Sequence, residues 1–193
     1  MAVTDIDICS RALILIGANP ITSFSDGTTE STVAVNLYED TVRDLLSRCR
    51  WRFASGQSQL PRRTDAPSAK WDAAYQLPGD LLVLHDVTVN DEVIDYDRYQ
   101  NLVYCDADEA DSVFVDYTFR AIEDLWPPYF TMAVELTLAS TFAYSVANQI
   151  QTADYMEKKA LRQLALARNI DSQAQTSRKL DLSRFERARR TIR

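Results

Sequence analysis

Glycine and histidine are scarce in this sequence. Its 193 residues include 4 Gly and a single histidine, His85. Loops that wrap the phosphates of a nucleotide depend on closely spaced glycines, and no G-x-G-x-x-G run occurs. A serine or cysteine nucleophile usually needs an adjacent histidine base, whereas His85 lies inside a β-like run, where a structural or solvent-edge role is the better interpretation. The sequence therefore predicts neither a nucleotide-binding loop nor a nucleophilic triad.

The cysteines are few and isolated. Cys9, Cys49 and Cys105 are odd in number and widely spaced, and no C-x-x-C pair occurs. This pattern is typical of reduced cysteines in a protein made in a cytoplasm. Cys9 and Cys49 fall on the apolar faces of predicted helices, where a small buried hydrophobic side chain is the expected role. No catalytic thiol and no metal ligand is assigned.

Long hydrophobic runs are also missing. The longest one near the N-terminus, residues 12–18, is far shorter than the roughly 20 residues that a membrane span needs. The N-terminus lacks a basic region followed by a small-residue cleavage site, so no signal peptide is predicted. We expect no membrane among the partners.

Charge is plentiful but unevenly distributed. Lys and Arg total 21 and Asp and Glu total 28, which gives a net charge of −7. Residues 178–193 hold seven basic and two acidic residues, a net of +5, whereas residues 1–177 hold 14 basic and 26 acidic residues, a net of −12. An acidic body is poorly suited to gripping duplex DNA through its phosphates. The basic end is predicted to be a separate functional element.

Apolar residues at three- and four-residue steps predict four helices. The first covers Asp5–Ile16 and ends at Gly17, and the second opens at Thr28 or Thr29. Tyr129–Ile150 is apolar nearly all round, which predicts the most buried helix, and Ala153–Asn169 is amphipathic. Neither pair of helices can bury its apolar stripe alone, so the four should close into one bundle.

The stretch between the two helix pairs has a β-like pattern. Apolar residues alternate or cluster in short runs, which are Ala73–Leu77, Leu81–Val89, Glu92–Ile94, Leu102–Cys105 and Val113–Phe119. Turn-forming residues separate the runs, which favours a small antiparallel sheet rather than a βαβ repeat. Trp51 and Phe53, at the start of this stretch, are predicted to be core aromatics that lock it to the bundle.

The predicted fold class is therefore mainly α with a β insertion, an α+β arrangement with a four-helix bundle-like core. Residues 1–50 and 127–172 form the bundle, and residues 51–126 form the β-rich insertion between helix 2 and helix 3. Residues 173–193 form an extended basic C-terminal arm.

Acidic residues cluster in the insertion. They are Asp86, Asp91, Glu92, Asp95, Asp97, Asp106, Asp108, Glu109 and Asp111. Asp106-x-Asp108 imitates the first two ligand positions of an EF-hand, but the glycine and the final glutamate of that loop are missing, so exposed turns are the better interpretation. Paired carboxylates of a glycoside hydrolase remain an open alternative, since their separation is spatial. No catalytic residue, metal or cofactor is assigned.

Several stretches of the chain resemble one known group of proteins. They are residues 12–17 and 20–23, the set Tyr38, Arg43, Leu45 and Leu46, and residues 51–54, 75–82 and 124–130. In this order and spacing they resemble phage head-to-tail adaptor (connector) proteins, namely the tail tubular protein A family of short-tailed phages with its prophage and gene-transfer-agent relatives. The resemblance spans roughly residues 5–170.

The resemblance implies a structural protein of the virion that is not an enzyme. Adaptors of this family form a dodecameric ring under the portal in the neck between head and tail, after assembly in the cytoplasm of the bacterial host. Genomic DNA passes through the lumen without specific binding, and the ring docks the tail nozzle or neck proteins below it. Their C-terminal segment commonly reaches up to the portal protein.

Carried over to this chain, the resemblance places portal binding in the C-terminal arm. The residues expected to make that contact are Leu180, Leu182, Arg184, Phe185, Arg187, Arg189 and Arg190. Two alternatives stay open, a cell-wall glycan hydrolase that uses acidic residues of the β insertion and a nucleic-acid-binding helical module that acts through the basic tail.

Overall fold

The computed structural model of the chain describes residues 4–65, 67 and 70–174. Its helices are α1 (Asp5–Leu15), α2 (Thr29–Ser47), α3 (Pro128–Ser145) and α4 (Ile150–Gln173). Antiparallel sheets are inserted between α2 and α3, so the predicted α+β fold class is confirmed.

The first helix begins at the predicted residue and ends one residue before the predicted Ile16, and the second begins at one of the two predicted threonines. The side chain of Thr4 accepts the amide N–H of Asp7, and the Asp7 carboxylate accepts the amide N–H of Thr4, which together form a capping box. Gly17 follows the helix with φ of +76°, and the next amide reaches back five residues to the carbonyl of Leu13, as in a Schellman motif. Thr28 caps α2 in the same way as Thr4 caps α1.

The boundary between α3 and α4 differs from the prediction. Helix α3 ends at Ser145 rather than Ile150, and α4 starts at Ile150 and continues to Gln173. The chain turns through Asn148, whose φ of +51° is tolerated by asparagine better than by most residues. Neither glycine nor proline marks this turn, so the apolar pattern alone did not reveal it.

Helix α3 lies at the centre of the bundle and packs against α1, α2 and α4. The pattern predicted this, because α3 is apolar nearly all round. Its buried residues are Phe130, Ala133, Val134, Glu135, Leu136, Leu138, Ala139, Phe142 and Ala143. The one charged member, Glu135, is 6% exposed and accepts a hydrogen bond from Arg11 of α1 at 3.2 Å. Burial of this carboxylate therefore depends on the partner on α1.

The insertion, expected as one small sheet, consists of two antiparallel sheets. Its strands are β1 (Ser55–Gln59), β2 (Ala73–Gln76), β3 (Leu81–Val89), β4 (Glu92–Val93), β5 (Tyr96–Tyr99), β6 (Leu102–Cys105) and β7 (Val113–Phe119). One sheet has the order β1-β7-β3-β4 and the other β2-β6-β5. The pattern missed β1 and β5, because the sequence of β1 is polar and β5 is an edge strand without apolar alternation.

The two sheets enclose a core of their own. Its buried residues are Leu60, Ala73, Tyr75, Leu77, Val87, Val103, Cys105, Val113, Val115 and Tyr117. Phe119, at the end of β7, packs against both this core and the core of the bundle. The insertion is therefore a separately packed layer that meets the bundle where β7 ends and β3 begins, through Phe119 and Leu82.

Aromatic rings join the insertion to the bundle, as predicted for Trp51 and Phe53. Trp51 is fully buried and its indole N–H donates to the Leu45 carbonyl at 2.9 Å. Its ring centroid lies 5.0 Å from that of Phe130 on α3, and Phe53 lies 4.9 Å from the same ring. Trp126, just before α3, meets Phe130 edge-on at 5.1 Å. The chain passes from the bundle to the insertion at Trp51 and returns to the bundle at Trp126. Phe130 contacts both tryptophans and therefore stabilises both connections.

An ion-pair network stabilises the connection between β7 and α3, through which the chain returns from the insertion to the bundle. The Arg120 guanidinium binds Glu39 of α2 at 2.9 Å and Glu123 at 2.7 Å, and the Tyr38 hydroxyl donates to Glu123 at 2.9 Å. Burial by itself raises the pKa of Glu123, but hydrogen bonds from Arg120 and Tyr38 outweigh it, so the pKa lies below its ordinary value of 4.5. The network fixes the strand-to-helix connection against α2.

Candidate docking site at the end of the fourth helix

The predicted portal-binding residues lie outside the described part of the chain. Leu180, Leu182, Arg184, Phe185, Arg187, Arg189 and Arg190 all fall within residues 175–193. The described chain reaches Ala174, which caps the C-terminus of α4. Gln173, the first residue of the predicted arm, still belongs to α4, and the surface around the end of this helix is the first place to look for a docking site.

An open cleft lies beside the last two turns of α4. Its volume is about 1120 Å³, and it is bordered by the end of α2, the start of β1 and the middle of β7. The residues that line it are Cys49, Arg50, Arg52, Ser55, Asp116, Ala165, Arg168, Asn169, Asp171 and Ser172. We call this the arginine cleft. Three guanidinium groups meet here on a body whose net charge is negative.

One arginine of the cleft is tied to the β insertion. Arg50 lies 3.4 Å from a carboxylate oxygen of Asp86 and 3.3 Å from one of Asp116, and Gln57 also donates to Asp116 at 3.0 Å. These exposed contacts contribute little stability each, but they hold Arg50 against the sheet. The charge of Arg50 is thus largely offset by its two acidic neighbours.

The other two arginines carry the positive character of the arginine cleft. Arg52 and Arg168 are exposed, and neither forms an ion pair with any residue that the structure describes. A guanidinium offers a planar fork of donors that matches carboxylate and phosphate groups. The carboxylates of Asp116 and Asp171 also line the cleft, so its three arginines leave the lining with a net charge of +1. Arg52 and Arg168 are the groups available there to an acidic group of a partner.

A buried carboxylate fixes the end of α4 against the rest of the bundle. Asp171 is 5% exposed, accepts the amide N–H of Arg52 at 3.1 Å and accepts the hydroxyl of Tyr129 at 2.9 Å. Burial and this hydrogen bond raise the pKa of Tyr129 to about 12. Asp171 thus sets the position of α4 relative to the start of α3 and to the chain that enters β1.

Replacement of Asp171 by Asn should loosen the end of α4. The amide keeps the shape but loses the charge that strengthens both hydrogen bonds, so we expect a loss of about 1–2 kcal/mol in the free energy of unfolding. Urea denaturation of the Asp171→Asn variant measures it. Asp154→Asn, an exposed position on the same helix, is the matched control and should stay within about 0.5 kcal/mol of the wild type. Equal stabilities of the two variants would contradict the anchoring role of Asp171.

The thiols and the histidine have surroundings that suit structural roles. Cys9 and Cys105 are buried and Cys49 is half-buried, and all three are free thiols. Burial raises the pKa of Cys9 to about 12 and those of Cys49 and Cys105 to about 11, which disfavours the thiolate that a nucleophile needs. His85 on β3 shares a 2.8 Å hydrogen bond with the Thr118 hydroxyl, and burial lowers its pKa.

The acidic residues of the insertion take part in turns and exposed contacts. Asp106 accepts the amide N–H of Asp72 at 3.1 Å, and Asp111 accepts the amide N–H of Asp108 at 3.2 Å. A hydrogen bond from Lys70 at 2.6 Å lowers the pKa of Asp97. Among the described residues, no group of three His, Cys, Asp or Glu side chains is placed to hold a metal ion. The glycan-hydrolase alternative stays a prediction.

The arginine cleft itself was not predicted from the sequence. Arg50 and Arg52 lie just after the second helix in the sequence, whereas Arg168 lies more than a hundred residues further along the chain. No local pattern connects the two positions. The one available signal was Arg50 and Arg52 on either side of a buried tryptophan, where the chain leaves the bundle.

Comparisons with known proteins do not place the chain in a family. No protein-family model matches it, and no curated protein matches it in sequence. Within residues 4–65, 67 and 70–174, none of the helices has the length and the apolar run that crossing a membrane requires.

Proposed function

We propose that this chain is the head-to-tail adaptor subunit of a phage or phage-like particle. Copies of it would form a dodecameric ring under the portal, extend the DNA channel and dock the tail nozzle or neck proteins. The observation that carries the proposal is the element order, two helices, a β insertion and two further helices, since adaptors of the family that the chain resembles are helical bundles with a β extension. The aromatic junction of Trp51, Phe53 and Phe130 lies within two of the stretches that carry this resemblance.

The charge of the body is compatible with a channel for DNA. Residues 1–177 carry a net charge of −12. A ring of such subunits would repel the phosphates of passing DNA, although salt screens this repulsion beyond about 8–10 Å. DNA would therefore meet a lumen wall to which it does not adhere.

The C-terminal end of the body supports a proposal about which end of the subunit docks on the portal. The chain leaves α4 at Ala174, next to the arginine cleft, and continues into the segment with a net charge of +5. Arg52 and Arg168 place positive charge at this end of the body, where the described chain ends. We propose that this end faces the portal and that acidic portal groups are its partners.

Electron microscopy of the purified chain mixed with its portal protein tests the function. We expect additional density with twelvefold symmetry beneath the portal, with the body below and a connection that rises from the end of α4. Portal particles imaged alone provide the baseline. Portal particles that show no added density at saturating concentrations of the chain would refute the proposal.

A further inference from the structure

Strand β1 forms a free edge of the larger sheet. Among the described strands it pairs with β7 alone, in an unbroken register over Ser55–Gln59. The Leu60 N–H donates to the Val113 carbonyl at 2.8 Å. Because hydrogen bonds alternate along an antiparallel pair, the amide N–H groups of Gln57 and Gln59 point away from β7. Neither amide donates to any other backbone or side-chain group that the structure describes.

The other sheet edges in the described part of the chain are protected, whereas β1 is not. Strand β4 has only two residues, β5 carries Asp97 and Arg98, and the Arg63 N–H covers β2 by donating to the Ala74 carbonyl at 2.8 Å. Short strands, charges and covering loops are the means by which natural sheets avoid unwanted pairing. The β1 sequence, Ser-Gly-Gln-Ser-Gln, has no charge and no proline, and its pairing has no bulge. We therefore expect another segment of chain to cover this edge.

The core-facing side of β1 suits apolar side chains on an added strand. On this side β1 contributes the small residues Gly56 and Ser58. The Tyr117 and Phe119 rings lie against Gly56, since a Cβ at this position would be 3.3 Å from the Phe119 ring. Large apolar residues on a neighbouring strand would continue this layer beyond the small side chains of β1. The opposite side is polar, so the expected occupant alternates apolar and polar residues.

The chain leaves α4 close to the start of β1. The Asp171 carboxylate accepts the amide N–H of Arg52 at 3.1 Å, three residues before β1 begins. Helix α4 is capped by Ala174, three residues after Asp171. Ser55 of β1 and Ser172 of α4 line the same arginine cleft. The chain that follows Ala174 therefore starts beside the first residue of the free edge.

The sequence after Ala174 contains a segment with the required alternation. Residues 179–183 read Lys-Leu-Asp-Leu-Ser, which places Leu180 and Leu182 on one side and polar residues on the other. The four residues 175–178 span up to about 14 Å when extended, which gives the segment reach along the edge. Position and pattern thus select this segment as the occupant of the edge.

We propose that residues 179–183 add a strand to the free edge of β1 in the same chain, with Leu180 and Leu182 toward the two aromatic rings. The segment arrives at the end where β1 begins, so it runs parallel to β1 and is held by main-chain hydrogen bonds to the outward amides. This inference does not depend on the adaptor function, because it concerns the free chain. The two leucines are also among the residues assigned to portal contact, so portal docking requires their release from β1.

Amide hydrogen exchange of the free, full-length chain, resolved by residue with NMR, tests the added strand. One variant carries Leu180→Ser and Leu182→Ser. The other carries Leu180→Pro and Asp181→Pro, because successive amides of a strand point to opposite edges and one of the two must face β1. We expect the Gln57 and Gln59 amides to exchange about 10-fold faster in both variants than in the wild type.

Two controls show whether the effect is confined to the edge. The amides of Gly56 and Ser58 bond to β7 and should exchange equally in all chains. The variant with Arg189→Gln and Arg190→Gln alters the same arm beyond the segment and should keep the wild-type exchange of the edge amides. Wild-type edge amides that exchange as fast as those of both variants would overturn the pairing. Loss of protection in the arginine control would likewise overturn the assignment to residues 179–183.

The dependence on concentration identifies the chain that supplies the strand. Protection that is unchanged on dilution, in a chain that sediments as a monomer, supports pairing within one molecule. Protection that grows with concentration would assign the strand to a neighbouring copy and overturn the proposal. Portal particles that fail to bind the chain would refute the adaptor function and leave these exchange results unchanged.

Discussion

Deletion of residues 175–193 should abolish attachment to portal-bearing heads while the body stays folded. Helix α4 ends at Gln173 and is capped by Ala174, so the deletion removes no residue of the core within the part of the chain that the structure describes. It does remove a net charge of +5 and the three apolar anchors of the predicted portal contact. Attachment is measured by co-sedimentation of the purified chain with tail-less heads, and folding by the far-ultraviolet circular dichroism and melting temperature of the body.

Two full-length variants separate the charge of the arm from its apolar anchors. In the first variant, Gln replaces each of Arg184, Arg187, Arg189 and Arg190. In the second, Ser replaces each of Leu180, Leu182 and Phe185. If the arm becomes ordered against the portal, both kinds of contact contribute, so each variant should bind more weakly than the wild type and more tightly than the deletion. Loss of charge should also flatten the salt dependence of attachment.

The matched control replaces arginines on the body. Arg43→Gln with Arg63→Gln removes two exposed cations whose side chains are 54% and 48% exposed, and it should leave attachment unchanged. Normal attachment of the deleted chain would contradict the role assigned to the arm. Loss of attachment in the control as well would show that overall charge, and not the arm, governs binding.

Replacement of Trp51 by Ala should cost more stability than any other single change considered for this chain. Trp51 is fully buried between α2 and α3, and its ring meets Phe130 at 5.0 Å and Phe53 at 5.9 Å. Truncation of a buried aromatic leaves a cavity that the packed surroundings fill only in part, and we expect a loss of about 3–5 kcal/mol. The carbonyl of Leu45 also loses its indole donor. Since domains are stable by only about 5–15 kcal/mol, much of the margin should disappear.

Trp71→Ala is the matched control for this prediction. Trp71 is half-buried on the insertion, where its indole N–H donates to Asp97 at 2.9 Å and Lys70 lies over its ring at 4.4 Å. Loss of this surface contact should cost about 1 kcal/mol. Urea denaturation followed by tryptophan fluorescence compares the two variants. If both lose the same amount, Trp51 is not the link between bundle and insertion that the packing indicates.

Much of the helical framework could be predicted from the sequence, because its signals are local. Thr4 with Asp7 and the glycine at position 17 bracket α1, and proline at position 128 opens α3. The all-round apolar character of α3 predicted its central place. The turn at Asn148 was missed because a positive φ on asparagine leaves no mark in an apolar pattern.

The insertion shows the limit of local signals. Strands β3, β6 and β7 alternate or cluster apolar residues and were predicted with their observed bounds, whereas the polar strand β1 is defined by its pairing with β7. Pairing depends on a partner more than fifty residues away in the chain. For the same reason, the pattern did not reveal that the insertion forms two sheets instead of one.

Scarcity of glycine and histidine, together with the division between an acidic body and a basic end, was determined by the sequence alone, because composition and charge do not depend on folding. These features predicted neither a nucleotide-binding loop nor a histidine-based triad, and they indicated which end of the chain to test. Only the tertiary structure brought Arg50, Arg52 and Arg168 to one cleft. This cleft forms where the end of α4 lies beside the end of α2 and the start of β1, and such packing is a relation between residues that are distant in the sequence.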